Sequence, residues 1–145
     1  MSGGVDSLRT AILLKENGAD VFGIHMRLVA SSRAGDDGEA SSVEADQHRE
    51  EAIRDLCSRI EISLFVIDMR ERFEASVIQP FLRSYLDGLT PNPCVVCNPT
   101  IKFGHLMEEA RHRGADRLAT GHYARILPPD SESNRFRLCR GLDPV

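Results

Sequence analysis

The stretch Met1-Ser-Gly-Gly-Val-Asp-Ser7 decides the fold, because it joins a glycine turn directly to the start of a helix. From Ser7 to Asn17 apolar side chains recur at helical spacing, and Gly18 follows as a stop signal. Gly3 and Gly4 leave backbone N–H groups uncovered where the helix dipole is positive, which favours anions. The spacing matches neither a Walker A loop nor a dinucleotide-binding fingerprint. The residues alone therefore predict either an anion-binding loop or a plain turn.

Helix and strand patterns alternate along the rest of the chain. Apolar runs predict strands at Asp20–Met26, Ile62–Ile67 and Leu118–Thr120, and helical spacing predicts helices at Val43–Arg59, Arg70–Asp87 and Lys102–Arg113. We expect a polar loop over residues 27–42 and a largely irregular segment over residues 88–99, which carries three prolines. Tyr123–Leu127 and Phe136–Arg140 flank a polar turn and predict a hairpin.

This alternation predicts an α/β fold. We expect a doubly wound, mostly parallel sheet with helices on both faces, ending in a β-hairpin. Ligands of such sheets bind beyond the carboxyl ends of the strands. The loops that follow Met26, Ile67 and Thr120 are therefore candidate parts of an active site.

Length and composition limit the classes of protein. A chain of 145 residues that is 41% hydrophobic predicts one compact domain, and no apolar run is long enough for a membrane span. A cytoplasmic protein is the default expectation, without membrane association. There are 10 basic and 16 acidic side chains before Pro99, against 8 and 6 from Pro99 onward. The acidic total disfavours a simple nucleic-acid binder, yet any polyanion would favour the second part.

Several short motifs form a more specific set. Besides the N-terminal loop, they are Thr90-Pro-Asn-Pro-Cys-Val-Val-Cys-Asn98, Ile101-Lys-Phe-Gly104, Ala119-Thr-Gly-His-Tyr-Ala-Arg125 and Arg140-Gly-Leu-Asp-Pro144. Ser-Gly-Gly-Val-Asp-Ser resembles the PP-loop of the N-type ATP pyrophosphatases, which have an adenine nucleotide alpha-hydrolase-like fold. Together the motifs resemble the tRNA-specific 2-thiouridylase family (MnmA/TrmU).

The resemblance implies a role for each matching residue. The phosphates of ATP would be bound by Ser2, Gly3, Gly4, Val5, Asp6 and Ser7, with Asp6 also helping to hold Mg²⁺, and Met26 and Gly121 would line the adenosine site. Cys97 would be the catalytic nucleophile. Asn92, Pro93 and Cys94 would contact the target base, and His122 would contact tRNA. The implied activity adenylates C2 of the wobble uridine and replaces its oxygen with sulfur, giving 2-thiouridine.

The resemblance also bears on domains and partners. It implies that residues 1–145 are the catalytic PP-loop domain, lacking the first β-strand and the C-terminal tRNA-binding and β-barrel domains of that family. We therefore expect weak or no activity from this chain alone. The implied partners are tRNA and a protein that donates persulfide sulfur. Leu8 departs from the family pattern, because a second hydroxyl residue is common there.

Cys94 is a further departure, because the commonest family motif has Asp at that position. It creates a Cys-x-x-Cys pair with Cys97, which can be a redox disulfide, two ligands of a zinc or iron–sulfur site, or two plain thiols. Alternatives for the function also stay open at this point. Another PP-loop adenylating ligase would need no cysteine, and the chain could be a non-catalytic module that binds ATP or tRNA.

Overall fold

The computed structural model describes residues 1–29, 39–130 and 134–142. Helices and strands alternate first, as α1 (Val5–Glu16), β1 (Phe22–Arg27), α2 (Glu39–Arg59) and β2 (Ser63–Asp68). Then follow α3 (Arg70–Phe73), α4 (Gln79–Leu86), α5 (Pro93–Cys97), α6 (Leu106–His112), β3 (Ala124–Leu127) and β4 (Arg137–Arg140). Two π-helical segments, Glu74–Ile78 and Asn98–His105, join α3 to α4 and α5 to α6. The predicted α/β class is confirmed.

The strands β1 and β2 form a parallel pair. Their register runs from Phe22 opposite Ser63 to Arg27 opposite Asp68, and α2 lies between them along the chain. Parallel strands need such a crossover, so β1, α2 and β2 make one βαβ unit. The carboxyl ends of both strands therefore meet at one edge. Because the pair has two strands, the doubly wound part of the prediction stays a prediction.

Two clusters of buried side chains pack against opposite faces of this strand pair, because successive residues of a strand face opposite ways. The first cluster includes Ile24 of β1 and is formed by Ile24, Met69, Val77, Ile101, Leu106 and Ala110. The second packs against Leu64 of β2 and is formed by Ala11, Ile53, Cys57 and Ile62. Helices α1 and α2 thus cover one face, and the helical segments after β2 cover the other.

The prediction of an irregular segment over residues 88–99 is wrong from Pro93 onward. Asn92 caps α5, since its side-chain Oδ1 accepts a hydrogen bond from the backbone nitrogen of Cys94 at 3.1 Å. Pro93 follows at the first helical position, where its missing N–H costs nothing. The helix then continues through the π-helical segment Asn98–His105 into α6, so the helix predicted over Lys102–Arg113 begins earlier.

Two other parts of the prediction, a strand and a loop, also differ from the structure. The strand predicted at Leu118–Thr120 is wrong, because those residues have extended or irregular backbone without strand pairing. Helix α2 begins at Glu39, so the predicted polar loop is wrong for residues 39–42, and residues 30–38 lie outside the described residues.

The terminal hairpin is confirmed. Strands β3 and β4 pair antiparallel, with Ala124 opposite Arg140 and Leu127 opposite Arg137. None of the helices in the described ranges is long and apolar enough to cross a membrane.

Candidate active site

The N-terminal loop closes on the hydroxyl of Ser7. This Oγ accepts hydrogen bonds from the backbone nitrogen of Ser2 at 3.2 Å and from the Ser2 hydroxyl at 3.0 Å. It donates to the carbonyl of Gly4 at 2.9 Å. The intrahelical ladder of α1 starts only where the nitrogen of Leu8 bonds to Gly4 at 3.2 Å. Val5, Asp6 and Ser7 come before that first bond, so their N–H groups have no partner within α1 and lie at its N-terminal end.

Two neighbouring elements hold this loop. Gly3 has a φ of +84°, in the left-handed region that glycine adopts freely, and a Cβ there would lie 3.1 Å from Cγ1 of Ile53. The amino nitrogen of Met1 donates to the carbonyl of Ile24, and the carbonyl of Met1 lies 2.9 Å from Nδ1 of His25. The loop is therefore fixed between α2 and β1.

Gly121 packs directly against the start of α1. A Cβ at Gly121 would lie 2.9 Å from the backbone nitrogen of Ser7 and 3.0 Å from the backbone carbon and the Cβ of Asp6. Most of these are backbone atoms, and moving them costs more energy than moving the end of a flexible side chain. The structure thus brings together two sequence motifs more than a hundred residues apart, and only a glycine fits at their contact.

His122 connects this contact to the second π-helical segment. Its Nδ1 lies 2.7 Å from the hydroxyl of Thr120, and its Nε2 lies 3.5 Å from Nζ of Lys102. Because a charged lysine only donates, this geometry favours an unprotonated Nε2 and an Nδ1–H that donates to Thr120. The ring of Phe103 lies 5.9 Å from the His122 ring, centroid to centroid, with 30° between the planes.

Cys97 lies at the end of α5 and is half-buried against the first core cluster. Burial raises the pKa of its thiol, the nearby ammonium of Lys102 lowers that pKa, and Cys94 raises it again. The net direction is upward, because the effect of burial outweighs that of the ammonium. Cys94, one helical turn earlier, is exposed, and both are free thiols.

The π-helical segment sets the spacing between Cys97 and Lys102. A π-helix pairs residues five apart, so Lys102 lies one such turn after Cys97. Gly104 permits this geometry, because a Cβ there would lie 2.9 Å from the carbonyl oxygen of Pro99. The hydroxyl of Thr100 donates to the carbonyl of Val96 at 2.7 Å and supports the same turn.

Charged pairs occupy the carboxyl ends of β1 and β2. Arg27 donates through Nη2 to Oε2 of Glu50 at 2.8 Å, and this hydrogen bond lowers the pKa of the buried Glu50 carboxyl. At the end of β2, the Arg70 guanidinium lowers the pKa of Asp68 to about 2. Met26, predicted to line an adenosine site, is half-buried beside the first core cluster. Its position at the carboxyl end of β1 agrees with the usual place of ligands in such folds.

Apart from Met26, the site residues predicted from sequence fall into two sets. The N-terminal loop, Gly121 and His122 form a connected group, and the group formed by Asn92, Pro93, Cys94 and Cys97 lies on α5. From the sequence alone, no site role is assigned to Phe103 and Thr120. Their signal was available, because Ile101-Lys-Phe-Gly104 and Ala119-Thr120 were among the motifs that carried the resemblance.

A metal site on the cysteine pair gains no support from the surroundings. Within the residues that the structure describes, no group of three or more His, Cys, Asp or Glu side chains is placed to hold a metal ion. Two thiolates do not complete the four-ligand set typical of structural zinc or of an iron–sulfur cluster.

Comparison with known proteins identifies the family. The family model described as "tRNA methyl transferase HUP domain" matches residues 1–145. The chain belongs to this HUP-domain family. The match covers the N-terminal loop, the α5 cysteines and the Thr120–His122 segment together.

Curated relatives of the HUP-domain chain are similar over its whole length. It is 43% identical over 145 residues to the tRNA-specific 2-thiouridylase MnmA of Nitratidesulfovibrio vulgaris strain DP4, covering 100% of this chain and 38% of that protein. It is 43% identical over 143 residues to the protein of the same name from Moorella thermoacetica, covering 99% of this chain and 39% of that protein. The chain therefore spans less than two fifths of the length of these relatives.

Proposed function

We propose that this chain is the ATP-pyrophosphatase domain of a tRNA 2-thiouridylase. One observation carries the proposal: Gly121 packs on Asp6 and Ser7, and His122 beside it contacts Lys102, whose charge acts on Cys97. The start of α1 and the Cys97 thiol are thus linked through a few side chains, and these are the two groups that the proposed reaction uses. Sulfur transfer to an activated base needs both groups to face one substrate.

The chemistry explains why ATP and sulfur are both required. The C2 oxygen of uracil is a very poor leaving group. It would attack the α-phosphorus of ATP, releasing pyrophosphate and leaving C2 bonded to AMP through oxygen. A sulfur nucleophile then adds to C2, and AMP leaves with the oxygen. The base must be out of its stack for this, as bases of an anticodon loop are.

The N-terminal loop would hold the phosphates of ATP. The N–H groups of Val5, Asp6 and Ser7 precede the ladder of α1, and the positive end of the helix dipole favours the negative charge there. Mg²⁺ would bind the exposed carboxylate of Asp6 and phosphate oxygens, an oxygen-donor set that suits this ion. When bound, Mg²⁺ would neutralise charge that develops on the leaving pyrophosphate.

Cys97 and the other residues of α5 would take part in the transfer of sulfur to the base. Cys97 is the proposed nucleophile, and Asn92, Pro93 and the exposed Cys94 would contact the target base at the start of α5. His122 would contact the tRNA. Sulfur would come as a persulfide from a donor protein. Its outer sulfur would add to C2 as AMP leaves, and the Cys97 thiolate would then attack the donor's own cysteine sulfur, which leaves the outer sulfur on C2 and forms a disulfide between Cys97 and the donor cysteine. Because tRNA is the substrate, we place the protein in the cytoplasm.

The proposal extends to the domains that surround this one. The relatives are more than twice as long, and we propose that the full enzyme completes the doubly wound sheet and adds tRNA-binding and β-barrel domains. An alternative is another adenylating ligase of the PP-loop type, or a module that only binds ATP or tRNA. The half-buried thiol next to a lysine favours sulfur transfer over these, because neither alternative needs it.

A chimera tests the proposal. This chain replaces the aligned segment of the Nitratidesulfovibrio vulgaris enzyme in cells that lack their own 2-thiouridylase, and tRNA nucleosides are measured by mass spectrometry. We expect 2-thiouridine with the chimera and little or none with the chain alone. If the folded chimera forms none while the unaltered relative does, the proposal is wrong.

A further inference from the structure

Phe103 is an aromatic side chain that the fold leaves unburied. It lies in the π-helical segment between Ile101, which is fully buried, and Leu106, which belongs to the first core cluster. Phe103 itself is 51% exposed and belongs to neither core cluster. Packing of the described core therefore does not account for a large aromatic side chain at this position.

A second aromatic ring lies beside the Phe103 ring. The His122 ring lies against it at 5.9 Å, and His122 is held in turn by Thr120 at 2.7 Å and by Lys102 at 3.5 Å. Two aromatic rings at 30° and one ammonium group thus form a small fixed surface. Aromatic rings next to a cation are the combination that binds unstacked bases of single-stranded nucleic acid.

Two members of this surface, Lys102 and Phe103, follow Cys97 within the same helical segment. Lys102, which contacts His122, also acts electrostatically on Cys97, one π-helical turn earlier. We propose that Phe103 stacks on the unpaired pyrimidine of the RNA substrate and positions it between the Cys97 thiol and the N-terminal loop. This inference rests on the proposed function. It makes Phe103 a substrate-binding residue, with Lys102 and Thr120 positioning His122 behind it.

Photocrosslinking tests the contact directly. An anticodon stem-loop RNA carrying 5-iodouridine at the wobble position is irradiated with the wild-type chain, and the crosslinked peptide is sequenced by mass spectrometry. We expect the crosslink at Phe103 or His122. A crosslink confined to other residues overturns this inference but leaves the proposed function standing, because thiolation by the chimera is a separate measurement.

Measurements of RNA binding by variants provide a second test of the role proposed for Phe103. We expect Phe103→Leu to weaken binding of the same RNA at least five-fold, since stacking of one base contributes about 1–3 kcal/mol. Phe103→Tyr keeps a ring and should stay within two-fold of wild type, as should Phe136→Leu, which removes an exposed phenylalanine from the hairpin. Unchanged RNA binding by Phe103→Leu overturns the inference. So does a loss of ATP binding without loss of RNA binding, which would assign the ring to adenine.

Discussion

A methyl group on Gly121 would lie 2.9 Å from the backbone nitrogen of Ser7. This close approach joins the Thr120–His122 segment to the helix start that we propose as the phosphate site. Because both sides of the contact are mainly backbone, any larger residue must push the two segments apart. The contact thus couples the Thr120–His122 segment to the proposed ATP site.

We therefore expect Gly121→Ala to weaken ATP binding by about five-fold or more, which corresponds to the lower end of overpacking costs of about 1–3 kcal/mol. Titration calorimetry with a non-hydrolysable ATP analogue measures the effect. Gly18→Asn is the control, because Gly18 lies at the end of α1 with nothing within 4 Å of its would-be Cβ. Equal affinity of Gly121→Ala and wild type would show that the contact does not shape the site.

Gly104→Ala provides a test of the π-helical segment. In an ordinary helix interior this change stabilises a protein by up to about 1 kcal/mol. Here the added Cβ meets the carbonyl of Pro99 at 2.9 Å, so we expect destabilisation by about 1–3 kcal/mol in urea unfolding. A stabilised variant would mean that residues 98–105 form a normal α-helix in solution.

The thiol of Cys97 should respond to two neighbours, Lys102 and Cys94. Burial raises its pKa, so the reactive thiolate is scarce at pH 7, and the rate of alkylation by iodoacetamide should still increase with pH where that of an ordinary cysteine has levelled off. Lys102→Met should raise that pKa further, whereas Lys102→Arg should not. Cys94→Ser should lower it, because Cys94 acts in the upward direction.

These pKa shifts are read from the pH dependence of the alkylation rate at Cys97, followed by peptide mass spectrometry. Cys139→Ser is the matched control, since it removes a thiol of the hairpin. Identical profiles for Lys102→Met and wild type would contradict the proximity of Lys102 to Cys97.

The Arg27–Glu50 pair should contribute to stability in a pH-dependent way. The pKa of Glu50 is lowered in the folded state, so its contribution is present above the ordinary pKa of glutamate and is lost as pH falls through the folded value. We expect Glu50→Gln to cost about 1–2 kcal/mol at pH 7, less than for a fully buried pair because Arg27 is partly exposed.

Urea unfolding of Glu50→Gln and wild type at several pH values measures this difference, which should shrink toward pH 3. Glu61→Gln, which alters an exposed ion pair with Lys15, should change the free energy of unfolding by less than about 1 kcal/mol across the same pH range. A difference for Glu50→Gln that is constant with pH would contradict the assignment.

Sequence reasoning found the elements that depend on local patterns. α1, β1, β2 and the hairpin follow from periodicity and glycine signals within a few residues. Three prolines over residues 88–99 predict a break in helical structure, yet α5 starts there, because Asn92 and Pro93 are favourable cap and first-turn residues. Leu118–Thr120 has the composition of a strand, but a strand needs a hydrogen-bonded neighbour, which local sequence does not supply.

The candidate site could likewise be predicted from the sequence only in part. Motifs indicated the loop and the cysteines, but the contact of Gly121 with Ser7 and the bridge through Lys102 are tertiary relationships. The upward shift of the Cys97 pKa likewise depends on how deeply the core surrounds the thiol. No spacing along the chain predicts that burial.

The role of Cys97 can be measured in the chimera with two cysteine variants, Cys97→Ser and Cys139→Ser. Mass spectrometry of tRNA nucleosides quantifies 2-thiouridine in cells that depend on the chimera. We predict that Cys97→Ser abolishes 2-thiouridine, whereas Cys139→Ser leaves it near the unmodified level. Substantial 2-thiouridine from a folded Cys97→Ser chimera would contradict the sulfur-transfer function proposed for this domain.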